Sequence, residues 1–184
     1  MRLFLGIAVP RNVADEIAHR IEPLVRLRPE LRWSSPQTWH VTLQFLGKAD
    51  EDQYGCIVDH LREIEFPTFP VRIAGAGFFD RAGVFFVDVA LTPELLALQQ
   101  RIVAATQRCG FVPEDRAYSP HITLARSRGR TGAGRLAPLK AALRHAPEPI
   151  SMEFAADEFL LYESVPQLRG SRYDVRARFP LSIG

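Results

Sequence analysis

The chain has 184 residues, of which 47% are hydrophobic, so it is long enough for one globular domain with a sizeable core. Its net charge of +2 argues against a protein that coats long nucleic acids by charge alone. No apolar stretch is long enough to span a membrane, and Cys56 and Cys109 show neither metal-ligand spacing nor a partner cluster, which favours reduced thiols and a cytoplasmic location.

The first predicted elements are a strand and a helix. Arg2 and the apolar run Leu3 to Val9 resemble the start of a secretory signal. The run is short and ends at Pro10 before an amphipathic pattern, so we predict a buried strand instead. The pattern that follows predicts a helix over 12–27, with Asn12 as its N-cap.

A loop then leads into the segment His40-Val41-Thr42-Leu43, which alternates polar and apolar side chains as a β-strand does. Because positions i and i+2 of a strand point the same way, His40 and Thr42 share one face while the other two residues face a core. The next elements predicted are a helix over 50–64 and a hairpin of strands 69–79 and 84–91. His60, on the helix between acidic neighbours, is predicted to be a solvated surface residue.

The second half repeats this order. Thr92 and Pro93 mark the start of a helix over 93–109. The sequence His121-Ile122-Thr123-Leu124 then repeats the earlier segment, 81 residues after His40. With only 5 histidines in the chain, two chance copies are improbable. A helix around 136–143 and strands over 150–162 and 173–179 complete the predicted elements.

The matched halves predict a duplicated structure. We expect residues 1–184 to form one bilobal domain with an internal repeat of approximately 1–80 and 84–184. The expected fold is α+β, built from duplicated β-α-β-α-β units with antiparallel-rich sheets around a central groove and helices outside. A pseudo-two-fold axis would bring the two histidine strands to that groove.

Two imidazoles facing each other suit acid–base chemistry on phosphorus. The unperturbed pKa of histidine, about 6.5, lets one ring be neutral and the other charged near neutral pH, where we expect the maximum of a bell-shaped profile. The hydroxyls of Thr42 and Thr123 can hold non-bridging oxygens. Each strand offers one good metal ligand and neither motif contains a carboxylate, so we predict no metal and no cofactor.

The segments 40–47 (His-Val-Thr-Leu-Gln-Phe-Leu-Gly) and 120–126 (Pro-His-Ile-Thr-Leu-Ala-Arg) resemble the paired His-x-Thr motifs of the two-histidine (2H) phosphoesterases. Within that superfamily the sequence is most similar to the RNA 2′,3′-cyclic phosphodiesterases of bacteria and archaea, historically called 2′–5′ RNA ligases. Further matches are residues 2–7, residues 161–164, Gly170 and Tyr173. The resemblance implies a bilobal α+β fold with the histidines facing each other across a groove.

The resemblance also implies roles that symmetry alone does not assign. His40 would be the general acid that protonates the departing 3′ oxygen, and His121 the base that activates water, leaving a 2′-phosphomonoester. Thr42 and Thr123 would bind the phosphate. Arg126 resembles an additional phosphate-binding arginine, but strict strand alternation would turn it away from the groove, so we predict a bulge or the end of the strand there.

Other residues have two interpretations. Phe45 is the repeat counterpart of Arg126 and fits either a base contact or the core. Trp33, Trp39 and Tyr118 flank the motifs and fit packing better than base stacking. Three basic residues of the loop after Arg126 fit either a solvated loop or an RNA backbone contact: Arg128, Arg130 and Arg135.

The leading hypothesis is a metal-independent cyclic phosphodiesterase whose substrates are RNA ends or nucleoside 2′,3′-cyclic phosphates. A second enzymatic hypothesis is a phosphodiesterase or ligase acting on 2′–5′ linkages or on small cyclic nucleotides. A non-enzymatic hypothesis is a nucleotide- or RNA-binding module, although binding alone needs no acid–base pair. We expect no membrane association, and a monomer because no coiled-coil seam is present.

Overall fold

The computed structural model describes residues 1–127, 132–145, 150–168 and 170–182, without the side chains of 132–135. These residues form four α-helices and nine β-strands. In chain order the elements are β1 Arg2–Ala8, α1 Arg11–Leu27, β2 Arg32–Trp33, β3 His40–Lys48, α2 Glu51–Arg62, β4 Phe69–Phe79, β5 Val84–Val89, α3 Pro93–Gln107, β6 His121–Arg126, α4 Gly132–Arg144, β7 Ser151–Ala156, β8 Glu158–Gln167 and β9 Gly170–Pro180.

The strands form two sheets. The first has four strands in the order β3-β1-β8-β9, and the second has five in the order β2-β6-β5-β4-β7. Within the described part of the chain, every pairing between these strands is antiparallel. The predicted α+β class with antiparallel sheets is therefore confirmed, and so is the hairpin of β4 and β5.

The two sheets have matching strand orders. In each, a His-x-Thr strand (β3 or β6) pairs with the first strand of its half (β1 or β5). The strand that follows in each sheet comes from the other half of the chain. β8, from the second half, pairs with β1 in the first sheet, and β4, from the first half, pairs with β5 in the second sheet. Each sheet thus contains strands from both halves, an interlocking that the local sequence pattern did not predict.

Both His-x-Thr strands carry an irregularity at the same place. Leu5 and Gly6 of β1 pair with Gln44 and Thr42, so the intervening residue of β3 has no partner. Phe85 and Phe86 of β5 pair in the same way with Ala125 and Thr123 of β6. Such a bulge shifts the alternation of the strand by one residue, so the positions that follow it change face.

The strand registers refine the alignment of the two halves. Phe4 pairs with Phe45, and Val84 pairs with Arg126. Phe4 therefore corresponds in space to Val84, one residue before Phe85, which a constant offset of 81 would assign to it. The first strands of the two halves are offset by one residue less than the histidine strands.

One hydrophobic cluster joins both sheets and the helices. Its fully buried members come from both halves and include Leu5, Ile17, Phe85 and Leu98. A second, smaller cluster contains Phe4 with three residues of β8 and β9: Leu160, Tyr162 and Tyr173. Because it lies apart from the main core, this cluster lines the other side of the first sheet, where His40 is found.

Helix ends follow their sequence signals in two of three cases. Thr92 accepts a hydrogen bond from the Leu95 backbone, as its N-cap position predicts. Asp50 caps α2 with Gln53 in a reciprocal capping box. The prediction for α1 was wrong, because the helix begins at Arg11 and the capping position is Pro10, which has no side-chain hydrogen bond to give.

The predicted strand over 150–162 was also wrong as a single element. The chain instead forms β7 and β8, which are separated at Asp157 and belong to different sheets. β7 pairs with β4 and β8 pairs with β1. The crossing between sheets depends on where the partner strands lie, so a continuous apolar pattern could not reveal it.

The prediction of reduced cysteine thiols is wrong. Cys56 of α2 and Cys109, just after α3, form a disulfide with 5.8 Å between their Cα atoms. His60 lies one helical turn after Cys56 and is half-buried instead of solvated, with its side chain 22% exposed. The fold thus brings together two cysteines that are 53 residues apart in sequence.

Candidate functional site

The two histidine rings are held by equivalent hydrogen bonds to the backbone. Nδ1 of His40 lies 2.8 Å from the carbonyl oxygen of Thr38, and Nδ1 of His121 lies 2.8 Å from that of Ser119. A carbonyl oxygen only accepts hydrogen bonds, so each Nδ1 carries the hydrogen and donates it. In the neutral ring Nε2 is then the basic nitrogen, and no hydrogen bond to a described residue occupies it in either histidine.

Aromatic rings surround His40. The centroid of its ring lies 4.8 Å from that of Phe4, 5.3 Å from that of Tyr173 and 5.7 Å from that of Tyr162. Gly6 makes this approach possible, because a Cβ there would lie 3.3 Å from the His40 ring and 3.0 Å from a backbone oxygen of β3. The imidazole is therefore half-buried and fixed in orientation by β1, β8 and β9.

His121 has a similar but more open environment. Its ring centroid lies 4.9 Å from that of Phe79 and 5.1 Å from that of Phe86. Gly77 of β4 allows Phe86 to lie flat there, since a Cβ at this position would come within 2.5 Å of the Phe86 ring. Sequence reasoning missed Gly6 and Gly77, although a glycine inside a strand is a signal of close approach.

Burial makes both imidazoles weaker bases than a free histidine. It lowers the pKa of His40 to about 4, with smaller contributions in the same direction from the charges of His121 and Arg126. The pKa of His121 is also lowered, first by burial and then by the charges of Arg126 and Arg116, against an upward effect of Asp88. The mutual electrostatic effects show that His40, His121 and Arg126 share one region.

The predicted bulge brings Arg126 to that region. The burial sequences of β3 and β6 match residue by residue: Thr42 and Thr123 are partly exposed, the next two residues are buried, and Phe45 and Arg126 are exposed. The two consecutive buried residues mark the bulge, after which side chains return to the face of the histidines. Neither threonine hydroxyl is hydrogen-bonded to another described residue.

A second arginine, which sequence reasoning missed, lies beside Arg126. Arg32 of β2 pairs directly with Arg126 across the strands, and the two charges repel each other. Tyr173, next to His40, also acts electrostatically on Arg126. Neither arginine forms an ion pair with a described residue. Two unpaired guanidinium groups beside two imidazoles make a binding region for an anion.

Reciprocal hydrogen bonds link the two histidine strands. Ser34, in the loop before β3, donates to the carbonyl oxygen of Thr123 at 2.8 Å. Tyr118, in the loop before β6, donates to the carbonyl oxygen of Thr42 at 2.9 Å. Each loop that leads into one strand thus holds the threonine backbone of the other, and the distance between the histidines is fixed from both sides.

The flanking aromatic residues pack, as predicted. Trp39 is 4% exposed and donates its indole N–H to Ser34 at 2.8 Å. Trp33 is partly buried and donates its indole N–H to the carbonyl oxygen of Arg28. The predictions for Arg128, Arg130 and Arg135 concern residues or side chains outside those that the structure describes.

A family model matches residues 11–165 and describes the 2′-5′ RNA ligase superfamily. The chain is 34% identical to an RNA 2′,3′-cyclic phosphodiesterase of Thermotoga maritima over 131 residues, 68% of this chain and 70% of that protein. It is 32% identical to one of Bacillus subtilis over 130 residues, 67% of this chain and 69% of that protein.

Solved structures share this fold. The crystal structure of E. coli LigT complexed with 3′-AMP superposes with a TM-score of 0.78 at 25% sequence identity, over 98% of this chain and 98% of that chain. No helix among the described residues is long and apolar enough to cross a membrane. The family match, the fold and the two His-x-Thr strands agree, and the chain belongs to the 2′-5′ RNA ligase superfamily.

Proposed function

We propose that this protein is an RNA 2′,3′-cyclic phosphodiesterase that opens the cyclic phosphate to a 2′-phosphomonoester without a metal ion. The observation that carries the proposal is a pair of imidazoles beside Arg126. The Nδ1 of each is hydrogen-bonded to a backbone carbonyl, and the Nε2 of each has no hydrogen bond to a described residue. Relatives that share up to 34% of their sequence with this chain are named for this activity. Binding alone would not require two histidines held in the same tautomer.

In the proposed reaction His121 accepts a proton from water through Nε2, and the water oxygen attacks phosphorus. The bond from phosphorus to the 3′ oxygen breaks on the opposite side, and His40 gives its Nε2 proton to that oxygen. The phosphate stays on the 2′ oxygen. One proton is taken up and one is released, so the two histidines exchange their protonation states during each turnover.

The lowered pKa of His40 sets a condition for this assignment. With a pKa of about 4, His40 carries no proton at neutral pH, whereas His121 is less strongly enclosed. Entry of the phosphodiester anion raises the pKa of an adjacent imidazole and offsets the opposing charge of Arg126. We therefore infer that substrate binding is coupled to proton uptake by His40.

The other groups would bind the substrate. Thr42 and Thr123, each two residues after a histidine, donate their free hydroxyls to the non-bridging phosphate oxygens. Arg126, with Arg32 beside it, balances the negative charge that builds up on those oxygens. Phe45, 52% exposed and on the face of His40, offers an aromatic surface to the base.

The test is hydrolysis of a nucleoside 2′,3′-cyclic phosphate in excess EDTA, followed by ³¹P NMR of the product. We expect turnover to persist and the phosphate to remain on the 2′ oxygen. Loss of activity on chelation, restored by a divalent ion, would contradict the metal-free reaction. A 3′-phosphate product would reverse the roles of the two histidines. Binding without turnover would favour the nucleotide-binding alternative.

We also propose that residues 1–184 act as one bilobal unit, as a monomer in the cytoplasm. The main hydrophobic cluster, which joins the two sheets, supports one domain. The RNA ends that would be its substrates arise inside cells, which supports the location. Analytical ultracentrifugation and cell fractionation test the two statements, with a stable dimer or a secreted product as contrary outcomes.

A further inference from the structure

We propose a second site, on α2 and at the end of α3: reduction of the Cys56–Cys109 disulfide creates a zinc site with Cys56, His60 and Cys109 as ligands. The sulfur atoms and a ring nitrogen of His60 all lie within 4.8 Å of one another. Two thiolates and an imidazole are the ligand set that Zn²⁺ prefers in proteins. This inference does not depend on the proposed phosphodiesterase activity.

The helix geometry preorganises two of the ligands. Cys56 and His60 are four residues apart on α2, so their side chains project from the same face one turn apart. This i, i+4 spacing is the one that helical zinc motifs use. The third ligand, Cys109, approaches from the end of α3, so the site would join helices from the two halves of the chain.

His60 is available for a metal. Its Nδ1 is shielded from solvent and lies 3.5 Å from Oε1 of Glu63, and no hydrogen bond to a described residue occupies Nε2, which is left for the metal. Glu63 is oriented in turn by Arg108, which donates a hydrogen bond of 3.1 Å to its other oxygen. A carboxylate beside a metal-bound imidazole orients the ring and increases its basicity, so Glu63 would act as a positioning residue.

The change from disulfide to metal site needs only local movement. Two Zn–S bonds of about 2.3 Å at a tetrahedral angle place the sulfurs about 3.8 Å apart. With 5.8 Å between the Cα atoms, rotation of the two cysteine side chains can open that separation without moving the helices. All three ligands are partly buried, so water can still enter a fourth coordination position.

The chemistry balances with a dithiol as reductant. Two electrons pass from the dithiol to the disulfide, which becomes two protein thiols while the dithiol is oxidised to its own disulfide. Zn²⁺ then displaces the two thiol protons and binds the thiolates together with neutral His60. In a reducing cytoplasm the metal would hold α2 and α3 together where the disulfide is not retained.

The test uses the full chain. Its disulfide is first reduced with a phosphine under anaerobic conditions, and bound metal is then removed with a chelator. Zn²⁺ affinity is measured by competition with a chromophoric chelator, and Co²⁺ is used as a spectroscopic probe of thiolate ligation. We expect one equivalent to bind with a thiolate-to-cobalt charge-transfer band and to raise the melting temperature of the reduced protein. The oxidised protein should show no such band.

Variants separate the ligands from their surroundings. His60→Ala should weaken Zn²⁺ binding by at least about 100-fold, and Glu63→Gln by about 10-fold, the scale for loss of an outer-shell partner. His19→Ala, which alters an exposed histidine on α1, is the matched control and should bind as the wild type does. The double variant His40→Ala/His121→Ala should also keep the site, which excludes metal capture by the other imidazole pair.

Three results would overturn the proposal. The first is a reduced wild-type protein whose Co²⁺ spectrum lacks thiolate ligation, a result that does not depend on any variant folding. The second is Zn²⁺ binding by a Cys56→Ser/Cys109→Ser variant with wild-type affinity. The third is a His60→Ala variant that folds, as judged by circular dichroism, and binds Zn²⁺ as tightly as the His19→Ala control.

Discussion

The two histidine strands share a backbone arrangement but differ in chemistry. Both β3 and β6 hold the imidazole Nδ1 on a carbonyl two residues earlier, and both have a bulge after the threonine. The residue that the bulge turns toward the histidine is Phe45 in one strand and Arg126 in the other. The two strands thus share a geometry, while the single position after each bulge places an apolar side chain beside His40 and a cationic one beside His121.

The surroundings of the two rings extend this difference. Three aromatic rings surround His40 and two lie beside His121. Arg126 influences both histidines, whereas Arg116 and Asp88 influence His121. Two equivalent imidazoles would have no defined direction of proton transfer. The two imidazoles differ in burial and in the charges near them. These differences allow one ring to act as the proposed acid and the other as the proposed base.

The largest effect should come from the histidines themselves. Either His40→Ala or His121→Ala should lower turnover by roughly 10²-fold or more, the scale for loss of a general acid or base. A substrate with a nitrophenyl leaving group, which needs no proton on departure, should partly rescue the His40 variant and leave the His121 variant inactive. Steady-state kinetics on both substrates measure this difference.

His60→Ala or His19→Ala, which change histidines on the outer helices, should retain normal rates in that assay. Rescue of the His121 variant in place of the His40 variant would exchange the acid and the base. Near-normal turnover in either variant would make that histidine structural.

The next largest effect should separate the residues after the two bulges. Arg126→Gln should lower kcat/KM by about 10- to 100-fold, because a charge-assisted contact is worth about 1.5–3 kcal/mol. Phe45→Ala should raise KM by about 5-fold, the lower range for one stacked base, and the effect should differ between purine and pyrimidine substrates. Arg62→Gln on α2 is the control for loss of an exposed arginine.

Equal effects of Arg126→Gln and Phe45→Ala on all substrates would show that the two positions do not have different roles. A Phe45 variant with unchanged KM for every base would limit that ring to its contact with Phe4, whose centroid is 6.0 Å away.

Much of this arrangement could be predicted from sequence because it is local. Alternation around His40 and His121 defined both strands, and the position of Arg126 required the bulge that the register shows. Features that depend on distant partners could not be predicted. The exchange of β4 and β8 between sheets is one, and the contact of Cys56 with Cys109, across 53 residues, is another.

The roles of Gly6, Gly77 and Arg32 also depend on neighbouring strands and could not be predicted from sequence. Gly6 and Gly77 matter because rings on neighbouring strands lie over them, and Arg32 matters because β2 pairs with β6. A glycine inside a strand signals a close approach but does not tell which ring lies over it, and Arg32 has no pattern of its own. Their roles follow from pairing across strands, which only the folded chain defines.

The pH dependence tests the unequal burial of the two rings. Activity requires one protonated and one neutral imidazole, and both pKa values lie below that of free histidine, with His40 at about 4. Above the free value of about 6.5 both rings are neutral, so kcat/KM should fall about 10-fold per pH unit there. Its maximum should therefore lie in the acidic range, below the neutral optimum expected from unperturbed imidazoles.

The optimum of kcat should lie at higher pH than that of kcat/KM, because the bound phosphodiester raises the pKa of the adjacent ring. Arg126→Gln removes a charge that lowers both histidine pKa values, so its kcat/KM profile should move to higher pH. A wild-type maximum of kcat/KM above pH 7.5 would contradict the burial argument.

The smallest effects should come from the two reciprocal hydrogen bonds. Tyr118→Phe removes only the hydroxyl that binds the Thr42 carbonyl, and should cost about 1 kcal/mol of unfolding free energy. Ser34→Ala removes the bond to Thr123 and also leaves the buried indole N–H of Trp39 without its acceptor. Its cost should be larger, about 2 kcal/mol, since an unsatisfied buried donor adds to the lost bond.

Urea unfolding measures these costs, and Ser35→Ala, at the neighbouring exposed serine, is the control. Because each bond sets the position of one threonine backbone, both variants should also lower kcat a few-fold while KM for a small cyclic nucleotide changes less. If Tyr118→Phe lowers stability and leaves kcat unchanged, the bond supports the fold without setting the distance between the histidines. If Ser34→Ala costs no more than Tyr118→Phe, the indole of Trp39 has found another acceptor, and the two sides of the site are held more equally than the structure indicates.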